Sequence, residues 1–408
     1  MSTATAAAQE YRFLADDFPE LGREPLPVEP YVSPEYFELE RERIFKRCWL
    51  NVCRLEDLSK PGDYLVLDIE ILHTSVLLVH GEDGVIRAFH NACQHRGNKL
   101  VAQCGHGHGK AFSCGFHGWT YDAKGQLVDV PDAVQFYDLD KAKVSLRPLA
   151  CDVWEGFVFV NYRTEPQWTL AEYLGPTGER FRGYPFHEMR QTSAVRAEVR
   201  ANWKVVLDAF QEAFHASFVH RDTVADAFTS RDNPHSHVGW VDLLEMHHSG
   251  SVYGAPEFDR KIHPSEGLAF KHGIAFTQGD ASGLKRLPGV NPQNLKNWGF
   301  DINVLFPHFF VDPSSGFYFT MHFWPITVNR TRFEFRYHTF PAKNAGEAIS
   351  EAYTTAIMRD AAFEDLGTVE GTQQMLESGA VSQLHLSDQE IMLRHHRAVV
   401  DTFLRGER

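Results

Sequence analysis

The sequence predicts an α+β protein of two domains, with an all-β domain first and a domain of mixed strands and helices second. A chain of 408 residues is long for one domain and comfortable for two. Short runs of strand-forming residues, YLVLDI, SVLLVH and VIRAF, are bounded by turn signals such as Asp83-Gly84, as in a small β-sandwich. Strand and helix patterns are mixed beyond residue 190. We therefore expect an N-terminal arm and helix at 1–44, the all-β domain at 45–162 and the mixed domain at 163–408.

The elements of the first domain follow in order along the chain. Residues 1–30 are rich in Ala, Pro and Glu, which is typical of a partly ordered arm. Ser33-Pro34 combines an N-cap with proline at the first helical position, and the apolar spacing that follows predicts a helix to about Trp49. After the short strands, GWTYDAKGQLVDV predicts a hairpin, and WEGFVFVNY at 154–162 predicts a closing strand.

The second domain begins after a loose, Gly- and Pro-containing stretch from Arg163 to about Met189. SAVRAEV predicts a strand, and a helix is expected to begin near Asn202. A loop-rich region follows, and then the aromatic strands FDINVLFPHFFV, GFYFTMHFWPI and RFEFRYHTF, which we expect to be mostly core. A helix is predicted over about Ala345–Leu376, and the last helix opens at Ser387 with Glu390 three residues on, a capping box.

Charge and composition exclude several classes of function. Lys+Arg number 40 and Asp+Glu 54, so the net charge of -14 opposes non-specific binding to nucleic acid or anionic lipid. The start of the chain has no secretory signal, and no apolar run is long enough to cross a bilayer. Six cysteines in a chain of this length suggest no disulfide framework. We therefore expect a soluble cytoplasmic protein with no nucleic-acid or membrane partner.

The stretch from Cys93 to Trp119 carries the first chemical motif. Cys93 and His95 form a C-x-H pair, and Cys114 and His117 form a C-x-x-H pair. Two thiolates and two imidazoles in two short loops are the ligand set of a Rieske [2Fe–2S] centre, in which two cysteines hold one iron and two histidines hold the other. The stretch resembles the Rieske family.

A structural zinc site is the alternative for these four residues, but zinc motifs usually open with two cysteines. Other potential ligands are less favoured. Cys104, His106 and His108 belong to a glycine-rich stretch that suggests an exposed turn. His395-His396 in the last helix is interpreted as surface rather than as a metal site.

A second group of chemical residues lies in ANWKVVLDAFQEAFHASFVH, residues 201–220. If this segment is one helix, Asp208, Glu212 and His215 share a face. His220 would then lie about 140° from His215 around the helix axis. For both histidines to bind one metal, the helix must end or bulge between them. Two histidines and one carboxylate make the facial triad of non-haem Fe(II) oxygenases, whereas two solvated or core histidines are the simpler alternative.

The segment resembles the mononuclear-iron helix of Rieske oxygenases. The shared features are NWK at its start, an acidic residue three positions before the first histidine, and a second histidine five positions later. The resemblance covers nearly the whole chain, in the domain order of the Rieske non-haem iron aromatic ring-hydroxylating oxygenases, large (alpha) subunit family. It implies a helix-grip catalytic domain, an antiparallel sheet with helices.

In that family the third iron ligand is a distant aspartate in a helix with an E-D pair, followed by another Glu and a Gln. FEDLGTVEGTQQ supplies Glu364-Asp365, Glu370 and Gln373, so the resemblance implies His215, His220 and Asp365 as ligands of the mononuclear iron. Asp360 is the fallback for the third ligand.

Glu212 matches the acidic residue that links the two metal centres across a subunit boundary in this family. It would bond His117 of a neighbouring chain and its own His215. Most aromatic dioxygenases carry Asp there, while members that act on quaternary amines can carry Glu, as this chain does. Asp208 stands where many dioxygenases have Asn, and it is a second candidate catalytic residue or a solvated helix carboxylate.

The resemblance implies the terminal oxygenase component of a Rieske system, with one [2Fe–2S] cluster and one mononuclear Fe(II) per subunit. It would use O2 and NAD(P)H electrons to mono- or dihydroxylate an apolar or aromatic compound, as in aromatic hydrocarbon catabolism. The alternatives are oxidative demethylation or hydroxylation of an amine or ether, and a pure Rieske electron carrier.

The chain has no nucleotide-binding fingerprint, so we expect a separate reductase, with or without a ferredoxin between them. The resemblance also implies a head-to-tail homotrimer, or an α3β3 assembly with a small subunit.

Overall fold

Two seven-stranded antiparallel sheets form the two halves of the chain. The structure is a computed structural model that describes residues 13–256, 267–269, 271 and 287–408. Residues 1–12 of the predicted arm lie outside the described residues. An all-β first half and a second half of antiparallel sheet and helices confirm the predicted α+β fold.

The first half builds its large sheet from short strands, of which Leu50–Arg54 and Phe157–Asn161 are buried throughout and the others are partly exposed. Its strands are β2 Leu50–Arg54, β3 Asp63–Ile69, β4 Thr74–His80, β5 Ile86–His90, β6 Gly105–His108, β10 Pro148–Trp154 and β11 Phe157–Asn161, in the spatial order β2-β11-β10-β5-β4-β3-β6. A separate three-stranded sheet contains β7 Ala111–Ser113, β8 Thr120–Asp122 and β9 Leu127–Asp129. The predicted hairpin and closing strand are confirmed as β8–β9 and β11.

The second half has a sheet whose central strands are buried on both faces. Its strands are β12 Arg190–Val199, β13 Val238–Leu244, β14 His247–Tyr253, β15 Trp298–Leu305, β16 Phe309–Pro313, β17 Phe317–Thr327 and β18 Arg330–Thr339, in the spatial order β12-β18-β17-β16-β15-β14-β13. A short pair joins the two ends of the described chain, β1 Leu26–Pro27 and β19 Gln383–Leu384.

The α-helices of the described residues are α1 Glu29–Val32, α2 Pro34–Glu40, α3 Leu170–Arg180, α4 Trp203–Asp208, α5 Ala216–Val219, α6 Ala225–Phe228, α7 Ala345–Glu377 and α8 Ile391–Arg405. A single π-helical turn, Arg41–Phe45, continues α2. One-turn 3-10 helices occur at Leu14–Asp16, Pro19–Leu21, Leu55–Leu58, Glu70–Leu72, Ala133–Gln135, Lys141–Lys143, Phe186–Glu188 and Asp388–Glu390. None of these helices is both long enough and apolar enough to span a membrane.

Several helix predictions are confirmed by their caps. The Ser33 hydroxyl accepts the amide of Tyr36 at 3.3 Å and begins α2, although helical structure ends at Phe45 rather than near Trp49. The Asn344 side chain caps the long helix α7, and the predicted capping box of Ser387 and Glu390 is present. These local hydrogen bonds satisfy amides that the first turn of a helix leaves free.

Two segments predicted to be irregular are ordered elements. The stretch from Arg163 to Met189 contains α3, which begins with a capping box of Thr169 and Glu172. Its helical pattern is interrupted by Gly175, at φ 47°, and Pro176, which kink the helix. The loop-rich region contains β13 and β14. Strand β14 lies between β13 and β15, and its polar residues are buried, whereas β13 is the edge strand of the sheet.

One apolar core runs through both halves, from Leu50 and Phe159 of the first sheet to Phe309 and Val311 of the second. A hydrogen bond from His322 Nε2 to Asn51 Oδ1, 2.8 Å long, crosses the same boundary. A second, smaller core surrounds Cys93 and Cys114. The main core therefore fixes the orientation of the two sheets, while the loops of the first motif have packing of their own.

A buried ion pair ties the N-terminal helix to the start of α4. Lys204 and Glu40 form a salt bridge at side-chain exposures of 1% and 0%. Trp203 also donates its indole N–H to Glu40 at 2.8 Å. Burial lowers the pKa of Lys204, and the nearby Glu40 carboxylate opposes that shift. The pair therefore holds a charged lysine inside the core next to the second motif.

Glu40→Gln removes the negative charge that neutralises Lys204 while preserving side-chain size. We expect the free energy of unfolding to fall by about 3–5 kcal/mol, because an uncompensated ammonium remains buried. Urea unfolding followed by circular dichroism measures the change. Glu38→Gln is the control, since that side chain is 59% exposed, and it should change stability by less than about 0.5 kcal/mol. Equal effects of the two variants would contradict the role of the pair.

Candidate metal centres

The segment that carries the second motif is two short helices rather than one. Helix α4 ends at Asp208, and α5 covers only Ala216–Val219. His215 is the N-cap of α5 and His220 its C-cap, so the two histidines flank a single helical turn. Their Nε2 atoms are 3.1 Å apart. The prediction of one continuous helix over 201–220 is wrong. Helical structure ends again after Val219, and His220 at φ -97° and ψ 29° leaves the helix, as the convergence of the two imidazoles requires.

Asp365 comes to the same point from the long helix α7. Its Oδ1 lies 3.1 Å from His215 Nε2 and 3.2 Å from His220 Nε2. The three ligand atoms all lie within 4.8 Å of one another. Two imidazole nitrogens and one carboxylate oxygen are the donor set of a mononuclear non-haem Fe(II) site, so these residues fit such an ion. Asp360, the fallback, is half exposed and pairs with Arg359.

Each imidazole is oriented by a carboxylate on its other nitrogen. His215 Nδ1 donates to Glu212 Oε1 at 2.5 Å, and His220 Nδ1 donates to Glu364 Oε2 at 2.8 Å. Thr223 Oγ1 donates to the same Glu364 oxygen at 2.5 Å. A proton on Nδ1 leaves the lone pair of each Nε2 free for a metal, and such contacts raise the basicity of the ligand. Glu364 is absent from the predicted site residues, although it is the first member of the Glu364-Asp365 pair in the sequence.

The electrostatics of this cluster favour a cation. Burial alone would lower the pKa of His215, but its hydrogen bonds to Asp365 and Glu212 outweigh burial and raise that pKa to about 10. The pKa of His220 is also raised, because Asp365 and Glu364 outweigh the effect of burial. Three carboxylates around two imidazoles thus create a negative site in apolar surroundings, which a divalent metal ion would neutralise.

Asp208 does not share the face of Glu212 and His215, because the helix ends at this residue. Its Oδ2 accepts the Tyr31 hydroxyl at 2.9 Å, and its Oδ1 accepts the Gln211 side chain at 3.0 Å. Desolvation raises the pKa of Asp208 to about 7, although the Tyr31 hydrogen bond and Lys204 act to lower it. Asp208 therefore joins the N-terminal helix region to the end of α4 and does not line the site.

Two contacts fix the position of α7 relative to the segment that contains His215 and His220. The amide of Asn202 donates to Gln373 Oε1 at 3.0 Å, and Arg200 pairs with Glu370 at 2.8 Å. Asn202 is also the N-cap of α4, with its side chain accepting the amide of Lys204. The same residues that begin α4 therefore fix the helix that carries Asp365.

A cavity of about 880 Å³, including the part open to solvent, adjoins the three ligand residues. Its walls combine the α4–α6 segment, α7 and the sheet, and most of its lining is aromatic or aliphatic. The sheet residues that line it include Trp298, Phe300, Phe310, Phe317, Phe319, Met321 and Phe335. The aromatic strands predicted to be mostly core thus also form the wall of a pocket that an organic molecule can enter.

The two loops of the first motif have matching backbone geometry. Cys93 O accepts the amide of Gly97, and Cys114 O accepts the amide of Gly118, both at 2.9 Å. The two glycines have φ of 79° and 72°, which favours glycine at these turns. The cysteines are buried and His117 is exposed, so the sulfur side of the motif faces the protein and the imidazole side faces the surface.

Neighbouring side chains support the four residues of the first motif. Trp119 stacks on His95 with ring centroids 4.8 Å apart, and the His95 and His117 rings lie 4.6 Å apart. Tyr121 OH lies 3.5 Å from Cys93 Sγ, and Asn98 Nδ2 lies 3.7 Å from Cys114 Sγ. Donors near the sulfurs raise the reduction potential of an iron–sulfur cluster.

The zinc alternative fits this geometry poorly. In the part of the chain that the structure describes, only His215, His220 and Asp365 bring their ligand atoms within 4.8 Å of one another. The two cysteines and two histidines are therefore spread more widely than one tetrahedral ion requires. A [2Fe–2S] group, which divides its ligands between two irons, fits them.

The remaining candidate ligands take other positions. Gly105–His108 forms strand β6 against β3, rather than the predicted turn, and His106 and His108 are exposed there. His395 and His396 are not on the surface as predicted. They are buried in α8, and burial lowers their pKa values to about 4 and about 3.

The sequence and the fold of this chain are similar to those of known proteins. Residues 186–406 match the family described as Ring hydroxylating alpha subunit (catalytic domain), and residues 48–147 match the Rieske [2Fe-2S] domain. The carnitine monooxygenase oxygenase subunit of Acinetobacter baumannii is 30% identical over 195 residues, 47% of this chain and 51% of the relative. The chlorobenzene dioxygenase subunit alpha of a Cupriavidus species is 32% identical over 197 residues, 46% of this chain and 42% of the relative.

The chain thus spans about half the length of the curated relatives it matches. A crystal structure of a quaternary ammonium Rieske monooxygenase in complex with an inhibitor superposes with a TM-score of 0.72 at 21% identity. That match covers 92% of this chain and 94% of the other and supports the fold. Because the matched catalytic region is more than half of the 408 residues, the chain belongs to the ring-hydroxylating alpha-subunit family, with a Rieske [2Fe–2S] domain ahead of its catalytic domain.

Proposed function

We propose that the chain is the terminal oxygenase component of a Rieske non-haem iron system. It uses O2 and NAD(P)H electrons, delivered by a separate reductase with or without a ferredoxin, to hydroxylate an organic substrate. One observation carries the proposal: His215, His220 and Asp365 converge at the wall of an aromatic cavity. A pure electron carrier has no use for such a site.

We assign the ligands as follows. Cys93 and Cys114 hold one iron of the cluster, and His95 and His117 hold the other, within a cluster domain at 45–162. His215, His220 and Asp365 hold the mononuclear Fe(II) in a catalytic domain at 163–408. When bound, the mononuclear iron supplies O2 activation and the cluster supplies an electron for it.

The chain's own residues then orient the reaction. The carboxylates of Glu212 and Glu364 hold the two imidazoles by their Nδ1 protons, which keeps both Nε2 atoms directed at one point. The aromatic walls bind the substrate and exclude water next to that point. The substrate is therefore positioned beside the iron ligands without being a ligand itself.

Glu212 is proposed as the link between the two centres, across the boundary between subunits of a homotrimer. His117 is exposed, and its described contacts are with His95 and Phe116, whereas Glu212 contacts His215. The exposed position of His117 therefore suits contact with another subunit. Glu212 of that subunit would carry the electron to the iron of the same subunit. A small β subunit could join such a trimer without changing this link.

Oxidative demethylation of an amine is a second candidate. Glu212 stands where aromatic dioxygenases usually carry Asp, and quaternary-amine members of the family can carry Glu. The carnitine monooxygenase relative and the quaternary ammonium monooxygenase structure agree with this reading. The aromatic cavity suits either a hydrocarbon or a methylated amine.

The double variant His215→Ala/His220→Ala tests the mononuclear site. We expect iron to fall from about three to about two atoms per chain, with the spectrum of the Rieske cluster unchanged. Metal analysis and electron paramagnetic resonance measure both quantities. Cys114→Ser should lose the cluster signal instead, and His187→Ala, an exposed histidine, is the neutral control. Three iron atoms per chain in the double variant would contradict the assignment of His215 and His220 as iron ligands.

Glu212→Gln and Glu364→Gln form a matched pair, since each glutamate holds one ligand histidine. Reduced protein is mixed with O2 and substrate, and reoxidation of the cluster is followed at saturating iron. Glu212→Gln should slow reoxidation about 10- to 100-fold, because it removes the proposed link between centres. Glu364→Gln should weaken iron binding with little effect on this rate. If cluster reoxidation slowed equally in both variants, Glu212 would only orient His215 and would not link the two centres.

A panel of aromatic hydrocarbons and N-methylated amines tests the reaction itself. Reduced protein is supplied with 18O2, and O2 consumption, labelled product and formaldehyde are measured together. We expect O2 consumption coupled to one class: labelled ring alcohols for a hydroxylase, or formaldehyde for a demethylase. Electron transfer to an external acceptor, with no O2 consumption for any compound, would favour the carrier instead.

A further inference from the structure

One acidic side chain on the cavity wall has no part in the metal centre. Asp312 lines the cavity, is only 3% exposed, and has no hydrogen-bond partner for Oδ1. It lies on β16, directly opposite Phe319 of β17, which also lines the cavity. Phe310, two residues earlier on the same face of β16, lines it as well. An acidic group thus interrupts an otherwise aromatic wall.

A neighbouring carboxylate shows how a buried structural aspartate in this sheet is satisfied. Asp301 on β15 accepts the Ser251 hydroxyl at 2.5 Å, the Trp298 indole N–H at 2.8 Å and the Asn291 amide at 2.7 Å. Asp312 has only a backbone contact with Asp301. A buried carboxyl with an unmet oxygen costs free energy, so a group that enters the cavity is the expected partner.

The surroundings of Asp312 favour a positively charged partner. Burial raises the pKa of Asp312 well above its usual range, and the adjacent charge of Asp301 raises it further. A positive charge in the cavity would offset both effects. The faces of Phe310, Phe317, Phe319 and Phe335 offer cation–π contacts to an ammonium group. Among the described residues that line the cavity, none is Lys or Arg to receive an anionic substrate.

We infer that Asp312 is the counter-ion of a positively charged amine substrate, and that it makes the cavity select cations over neutral molecules of the same shape. The inference rests on the proposed function for the reaction, since it chooses the amine over the hydrocarbon. Cation selectivity is a property of binding and can be measured without turnover. Asp312 is thus a specificity-determining residue, while the chemistry belongs to the metal ligands.

The test uses two probes of nearly identical shape, benzyltrimethylammonium and neopentylbenzene, which differ in a charged nitrogen or a neutral carbon. Binding to the iron-loaded protein is measured by equilibrium dialysis, and the ratio of the two affinities is compared between variants. The wild type should bind the cation more tightly. Asp312→Asn should reduce that ratio at least about 10-fold, since a buried charge pair loses one partner. Asp312→Glu should retain part of the preference.

Glu334→Gln is the matched control, because it removes a buried carboxylate that does not line the cavity and that pairs with Arg196 and Arg332 instead. Its affinity ratio should stay near that of the wild type even if stability falls. A wild-type protein that binds the two probes equally would overturn the inference, even if Asp312→Asn fails to fold. A ratio unchanged in folded Asp312→Asn would overturn it as well.

The outcomes also separate this inference from the proposed function. Cation selectivity without O2 consumption for any amine would support the counter-ion and contradict the oxygenase. O2 consumption with hydrocarbons and no cation selectivity would do the reverse.

Discussion

The end of helical structure at His220 is the constraint on which the site depends, because His220 at φ -97° and ψ 29° leaves the helical conformation. A helix that continued through this residue would send His220 to a different side from His215, and Asp365 could not reach both. The earlier break, between Asp208 and His215, costs backbone hydrogen bonds, and the segment recovers part of them through side chains: Glu212 Oε2 accepts the amide of His215 at 3.2 Å. Gln211 and Tyr31 meet at Asp208, where α4 ends. The irregular segment is therefore held from both ends.

The apolar surroundings of the three carboxylates strengthen their electrostatic interactions. Glu212, Glu364 and Asp365 lie close to two imidazoles and beside a wall of aromatic side chains, where water cannot screen them well. A low dielectric makes uncompensated negative charge costly, and it also strengthens the attraction of that charge for a metal cation. The apolar walls of the cavity would thus also increase the affinity of these residues for a metal cation.

Much of this arrangement could be predicted from residue patterns, and the exceptions have physical causes. The spacings of Cys93, His95, Cys114 and His117, and the helix caps at Ser33 and Ser387, are local features that need no knowledge of distant contacts. The end of α4 at Asp208 could not be predicted from local sequence, because the residues that follow it are ordinary helix formers. Asp208 instead contacts Tyr31, which is distant in the sequence.

Strands β13 and β14 were not predicted. Strand β14 begins with His, His, Ser and Gly rather than with β-branched or aromatic residues, and it is stabilised by β13 on one side and β15 on the other. The contact of Glu364 with His220 could not be predicted from sequence, since only the packing of α7 brings its carboxylate to Nδ1 of His220 while Asp365 faces both Nε2 atoms. Spacing is therefore more informative for groups on short loops than for groups on a long helix, whose facing depends on how the helix packs.

The pairing of β1 with β19, together with the Glu40–Lys204 ion pair, has a consequence for how the protein can be divided. The segment before the cluster loops is part of the catalytic half: it contributes a strand to the C-terminal region and the counter-charge for a lysine beside the iron-binding segment. A fragment cut near residue 162 would carry an uncovered apolar surface and an unpaired buried ammonium. The two halves are successive in sequence yet are not interchangeable modules, so fusion or exchange of domains must carry residues 26–40 with the second half.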